Sequence, residues 1–478
     1  MDLDNEPVNQ EIIRSNSDVD TIDKMNIDQS TNEEQSNVQS QDTEYIPDTP
    51  ELLHIFYSKI FPYKTYAYWL NYGKEIDKPF LNREFSLQLP TEAVIRNLSF
   101  SGPDEMKTEI LKFCPSKFDV GAVYTAKPKD KKSLRPSAFK PVEKELVFDI
   151  DMTDYDDIRT CCSGGDICNK CWQFMTVAIK ILDVSLRGAI LCLMAAYYTF
   201  QLTQIFFNTE DFGFKHLLWI YSGRRGVHCW VSDERARKLN NEERKAIVAY
   251  LEVVKGGAQQ SKKVRLYKTL HPSLSRSLEI IEKYFEQVIL EDQDVLQDEK
   301  NWTKVLNCIP DEGVKKKLHD NWLQSPKRSS VDKWNDLEYE VQYGAAKKAS
   351  KKLESLQMCT KEIMFQYLYP RLDEKVTTQI NHLLKSPFCV HPKTGRVCVT
   401  ISPENCEYFN PLEVPTLTML YRQLNESYAN KTDGKRIRND YDVTSLKPYI
   451  KYFENFVESI VSEVREKNRA KEVFSMEF

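Results

Sequence analysis

Asp149 and Asp151 stand two positions apart in the run Leu146-Val147-Phe148-Asp149-Ile150-Asp151. In an extended strand alternate side chains share a face, so the two carboxylates project together while Phe148 and Ile150 enter the opposite layer. Two strand rises separate them by about 7 Å. That spacing suits a pair of divalent cations roughly 3.5 to 4 Å apart, each bound by hard oxygen ligands. Such a pair acidifies an attacking hydroxyl and neutralises a leaving pyrophosphate, which is the chemistry of phosphoryl transfer. An edge strand with its charges in water gives the same short pattern, and Asp154, Asp156 and Asp157 compete for a third ligand position.

Cys161, Cys162, Cys168 and Cys171 fall within eleven residues, with Gly164-Gly165 between the pairs. Cys-x2-Cys is the spacing of structural zinc sites, where four thiolates fill the coordination sphere and leave no place for a reacting water. Four sulfurs also serve an iron–sulfur cluster, and the adjacent Cys161-Cys162 leaves open whether both bind or one ligand comes from elsewhere. Ser222-Gly223-Arg224-Arg225-Gly226 joins two apolar runs, 219–221 and 227–231. Two guanidiniums suited to bidentate phosphate bonds, a hydroxyl and the nearby His228 make a candidate triphosphate cradle, while solvated arginines on an ordinary turn are the alternative. Lys385 and His391 flank a second turn that offers further groups to a phosphate, although a lone lysine and histidine are commonly surface features. No GxxxxGK[ST] occurs, which disfavours a P-loop ATPase.

The elements that position these groups read as mixed α and β. A chain of 478 residues with 41% hydrophobic and 11% aromatic content can bury one large core or two smaller ones. Residues 1–50 hold 13 acidic side chains against Arg14 and Lys24, a local charge of −11. Such a segment cannot bury enough apolar surface to fold, and 1–47 is expected to be a disordered acidic tail. The whole chain is −5, so residues 51–478 carry +6, a mildly basic body compatible with a polyanionic partner. A helix is expected to open the folded part near Asp48, with strands at 83–89 and 145–151 and a helix at 172–186. From 238 to 369 the sequence reads as helical, and strand-like sequence resumes at 388–401. One catalytic core, 48–250 and 363–478, is thus expected to be interrupted by a helical subdomain, 251–362.

Twelve cysteines, with no basic region and apolar run at the start, point to a reducing compartment rather than secretion. Residues 188–209 carry no charge over 22 positions, long enough for a membrane span. A span would put the acidic and cysteine motifs on one side of a membrane and the arginine hairpin on the other. The segment is therefore expected to be an inserted loop or helix, or sequence translated from a retained intron, with no membrane partner.

Taken together, ArgGluPheSer at 83–86, Ile95-Arg96, 118–124, ELVFDIDMTDYDDIRTCC, EDFGFKHLLWIYSGRRGVHCWV and INHLLKSPFCVHPKTGRV closely resemble the small, catalytic subunit of eukaryotic-type DNA primase. The resemblance covers most of 48–460; the acidic tail and the 188–209 insertion depart from it. It implies an α/β primase fold with mixed sheets, a zinc motif and an inserted helical subdomain, and it implies synthesis of RNA primers on single-stranded DNA. Asp373 then completes the metal set with Asp149 and Asp151 for two Mg2+ or Mn2+ ions, and Cys161, Cys162, Cys168 and Cys171 hold zinc. Ser222, Arg224, Arg225, His228, Lys385 and His391 carry over as triphosphate contacts. Asp119 maps to a ribose contact, and Glu84 with Arg96 to a second site near the initiating nucleotide. Implied partners are template DNA, RNA primer, ribonucleoside triphosphates, a large iron–sulfur subunit, and the catalytic and accessory subunits of DNA polymerase α, in the nucleus. The rival readings are a repair-type primase-polymerase and a catalytically dead, zinc-containing nucleic-acid-binding subunit.

Overall fold

A short apolar run beginning at Leu52 folds as the helix Pro50–Ile55 and continues as one π-helical turn, Phe56–Ile60, close to where the sequence places the start of the folded part. The computed structural model describes residues 50–187, 211–256, 260–343, 350–429 and 439–476. The expected tail (1–47) and the uncharged segment 188–209 lie outside the described residues.

Nine strands among the described residues form two sheets. The first contains β1 (Arg83–Gln88), β2 (Val94–Leu98), β3 (Lys117–Tyr124) and β4 (Pro141–Glu143) in the order β2-β1-β3-β4, with β8 (Leu384–Lys385) also on β3. The second contains β5 (Leu146–Asp151), β6 (Leu217–Tyr221), β7 (Gly226–Val231) and β9 (Thr400–Ile401) in the order β5-β7-β6-β9. Every described pairing is antiparallel, which corrects the expectation of mixed sheets. For β1–β2 and β6–β7 the physical reason lies in the connections, which reverse through short turns, whereas parallel neighbours need long crossovers.

β6 and β7 are buried along their whole length because both faces of their sheet are covered. On one face lies the helix Asn169–Arg187, where Trp172 meets Tyr221 and the Trp219 indole donates to Asp183 at 2.9 Å. On the other, Trp230 packs edge-on against Trp69 of the helix Tyr63–Asn71. Tyr66 of that helix meets Phe118 of β3, so a single apolar helix ties the two sheets together. A buried ion pair reinforces the joint: Arg83 on β1 donates to Glu145, which directly precedes β5, at 2.8 Å, and to the Tyr72 hydroxyl at 2.7 Å.

From Pro272 to Leu368 the described residues form helices and connections without a strand, their core built on Phe285 against Trp334 and Trp302 against Trp322. The helix Pro272–Phe285 rests on Asn169–Arg187 and on Ser350–Leu368, and the described residues form one compact unit. The run 388–401 is less strand-like than its composition suggests. Only Thr400–Ile401 joins a sheet, because Pro392 to Gly395 fold into a tight turn closed by Val390 opposite Val397. No described helix is long and apolar enough to cross a membrane.

Candidate active site

β5 pairs with β7 so that Asp149 lies opposite His228 and Asp151 opposite Gly226. Paired residues in an antiparallel ladder share a face, which puts both carboxylates with His228. Phe148 and Ile150 take the other face, fully buried. A β-carbon on Gly226 would stand 2.4 Å from the Ile150 carbonyl oxygen, so only glycine lets β7 come this close to the acidic strand. Asp373 arrives from far along the chain: its backbone N–H donates to the Asp149 carbonyl at 3.1 Å, and its carboxylate caps the helix Glu374–Thr378 at the Lys375 N–H, 2.9 Å.

Burial, together with Asp151, Asp373 and Asp154, pushes the Asp149 carboxyl up to about 7, although the Lys385 ammonium opposes this. Asp151 moves the other way. Against its burial, the Thr153 N–H and hydroxyl at 2.8 and 2.6 Å and the Arg225 guanidinium at 2.8 and 2.9 Å hold it below the usual carboxylate range. Burial and Lys385 push the His228 imidazole down to about 3, so it is neutral at ordinary pH. Its Nε2 lies 3.4 Å from Asp149 and its buried Nδ1 has no hydrogen-bond partner among the described residues. Crowded carboxylates with more negative charge than their neighbours offset are a donor set that fits hard divalent cations.

The hairpin is closed by Ser222, whose N–H donates to the Gly226 carbonyl at 2.9 Å while its hydroxyl accepts from the Gly226 N–H at 3.0 Å. Gly223 takes a φ of +87°, and a β-carbon there would meet that of His391 at 2.6 Å. The second turn thus seats directly on the first: Thr394 donates to the Gly223 carbonyl at 2.6 Å, and the Lys385 ammonium donates to the Ser222 carbonyl. Burial, Lys385 and Arg224 push His391 down to about 3. Ser222, Arg224, Lys385 and His391 therefore gather at one place, with Arg225 turned onto Asp151.

The sulfurs of Cys161, Cys162, Cys168 and Cys171 all lie within 4.8 Å of one another, the one such ligand set among the described residues. Tetrahedral zinc–thiolate bonds of about 2.3 Å put sulfurs roughly 3.8 Å apart, so the four fit a structural zinc ion. The three aspartates do not form so tight a set, since Asp151 is engaged by Arg225 and Thr153 and Asp373 by its own helix.

A sequence profile of the DNA primase small subunit family matches residues 148–201 and 191–403. The DNA primase small subunit of Schizosaccharomyces pombe is 41% identical over 428 residues, covering 85% of this chain and 89% of the relative. That of Drosophila melanogaster is 37% identical over 91% and 97%, and that of Saccharomyces cerevisiae 36% over 86% and 91%. The chain belongs to the DNA primase small subunit family. It is a primase catalytic subunit, a nucleotidyltransferase that synthesises RNA primers for replication. A small subunit implies a large one and a DNA template.

Other residues of this primase subunit stand as follows. Asp119 on β3 pairs in register with Lys385 on β8, and burial raises its carboxyl despite Lys117 and Lys385. Glu84 accepts from Arg96 at 3.1 Å and from the Tyr124 hydroxyl at 3.0 Å, so the two expected second-site residues touch. Of the acidic competitors, Asp156 accepts from Arg159 and the Gly164 N–H, and Asp157 pairs with Lys263 and Arg371; Asp154 remains beside the Asp149 cluster. Sequence reasoning missed the brace of the cysteine loop. Arg159 donates to the Asp166 and Gly164 carbonyls, and Gln293, from the helical region, accepts from the Thr160 N–H at 2.8 Å and donates to the Cys161 sulfur at 3.4 Å. It also missed that Gly165 lies under the Arg224 guanidinium, where a β-carbon would collide at 1.8 Å. Arg159 beside Cys161 was a local cue; Gln293 had none.

Proposed function

We propose that the 3′-hydroxyl of one ribonucleotide attacks the α-phosphorus of a second, whose triphosphate is bound by Ser222, Arg224, Arg225, His228, Lys385 and His391, and that pyrophosphate leaves. Asp149, Asp151 and Asp373 would hold two Mg2+ or Mn2+ ions, which when bound acidify the attacking hydroxyl and offset the charge on the leaving group. Arg224 and Lys385 supply fixed positive charge to the phosphates. His228 is neutral, so it supplies a hydrogen bond rather than charge. Asp119 would meet a ribose, and Glu84 with Arg96 the initiating nucleotide. The observation that carries the reading is the register of β5 on β7, which brings the acidic face and the arginine hairpin side by side.

The four cysteines are assigned a structural role, with zinc rather than an iron–sulfur cluster as their ion. The architecture is read as the archaeal-eukaryotic primase fold, its core at 48–250 and 363–478 interrupted by the helical subdomain 251–362. The enzyme is placed in the nucleus with a large iron–sulfur subunit and with the catalytic and accessory subunits of DNA polymerase α. Asp149→Ala and Asp151→Ala proteins with unchanged circular dichroism are expected to lose primer synthesis on single-stranded DNA. Appreciable residual synthesis by either would refute the metal assignment.

A further inference from the structure

Lys127, Lys129, Lys131, Lys132, Arg135 and Lys140 crowd into 14 residues that contain one acid, Asp130, so 127–140 carries +5 of the +6 on residues 51–478. All six cations are exposed. One ion pair is formed by them among the described residues, Lys129 with Glu105 at 3.8 Å. The segment is nevertheless pinned at both ends. The Thr125 N–H donates to the Lys140 carbonyl at 3.0 Å and the Thr125 hydroxyl to the Ala138 carbonyl at 2.6 Å, while the Lys140 N–H donates back to that hydroxyl at 3.1 Å. Phe139 stacks on Tyr124 with ring centres 4.2 Å apart and planes 6° from parallel, and Lys131 lies over the Phe139 ring. A stretch this charged, held this firmly, costs self-repulsion that a polyanion would offset.

Its place in the fold says which polyanion. Tyr124 is the last residue of β3 and donates to Glu84, while Asp119, five residues earlier on the same strand, faces Lys385. Five strand rises are about 17 Å. That is about five nucleotides of a strand at 3.4 Å each.

We propose that residues 127–140 are a binding surface for the phosphate backbone of the DNA template, about five nucleotides from the Asp119–Lys385 corner of the site. The surface is sequence-blind, since lysines on phosphates carry no base information. The proposal rests on the family's use of a DNA template and not on the metal or triphosphate assignments.

The test is a variant with Lys127, Lys132, Arg135 and Lys140 all changed to Gln, compared with one in which Arg465, Lys467, Arg469 and Lys471 on the exposed end of the last helix are changed to Gln. Binding to a dT20 oligonucleotide is measured against salt without nucleotide, with a thermal melt to check folding. The first variant is expected to bind on the order of tenfold more weakly, with a log–log salt slope shallower by about 0.7 for each phosphate that is no longer neutralised. Its KM for template should rise at unchanged kcat. An unchanged salt slope, or an equal loss in the second variant, would overturn the proposal. Because binding is read without nucleotide, the Asp149 and Asp151 test can fail independently of this one.

Discussion

Asp149 is held in tension with its surroundings. Its carboxyl titrates near 7 because burial and three neighbouring aspartates disfavour its charge. A folded-state value raised above the unfolded one means that the stability of the metal-free protein is fullest below about 4 and is lost as pH rises through about 7. Asp149→Asn removes the charge without the volume. In chelator it should stabilise the protein at pH 8, by on the order of a few kcal/mol, with the gain vanishing near pH 4. Urea unfolding at the two pH values measures this, and a variant less stable than the parent at pH 8 would contradict it. The same protein should make no primer, so one side chain would be costly to the fold and indispensable to the chemistry. How much of this was legible differs by residue. Asp149 and Asp151 announced themselves by strand alternation, a two-residue rule. Asp373 obeys no local rule, since its relation to Asp149 is one backbone hydrogen bond across the fold, and only family resemblance supplied it.

At the scale of elements, the cysteine loop and the arginine hairpin are one assembly. Arg224 lies on Gly165 between the two cysteine pairs, and Gln293 anchors the loop to the helical region. Cys168→Ser is therefore expected to lose zinc, measured by atomic absorption, and to lower the melting temperature and soluble yield before it alters chemistry. A stable, zinc-free, fully active variant would remove the structural role. Strand β5, the hairpin and the long helix Asn169–Arg187 were readable because each is specified by its own periodicity and turn residues. The two-residue strand β8 was not, because Leu384–Lys385 becomes a strand only through pairing with β3, and no periodicity shows in two residues. The antiparallel sense of the sheets was likewise fixed by which strands meet, a fact the sequence of each strand does not hold.

For the molecule as a whole, the joint between the sheets is decisive. Arg83 and Glu145 are both completely buried, and against the burial cost Arg83 and the Tyr72 hydroxyl keep the Glu145 carboxyl below its ordinary range. Removing one member of such a pair strands a buried charge, so Glu145→Ala should cost about 3–5 kcal/mol in urea unfolding. A loss below about 1 kcal/mol would show that the pair is dispensable. The joint matters because each sheet carries only part of the proposed site, with Asp119 and Lys385 on one and Asp149, Asp151 and His228 on the other. Asp373, Lys385 and His391 follow Asp149 by more than 200 positions, so a ribosome has translated most of the message before the centre can close. Pairings so distant in sequence form late and slowly. A chain released early would carry the acidic strand, the cysteines and the hairpin but lack the groups proposed to complete them. Aborted translation is thus expected to leave inert fragments, and none able to start strands at random.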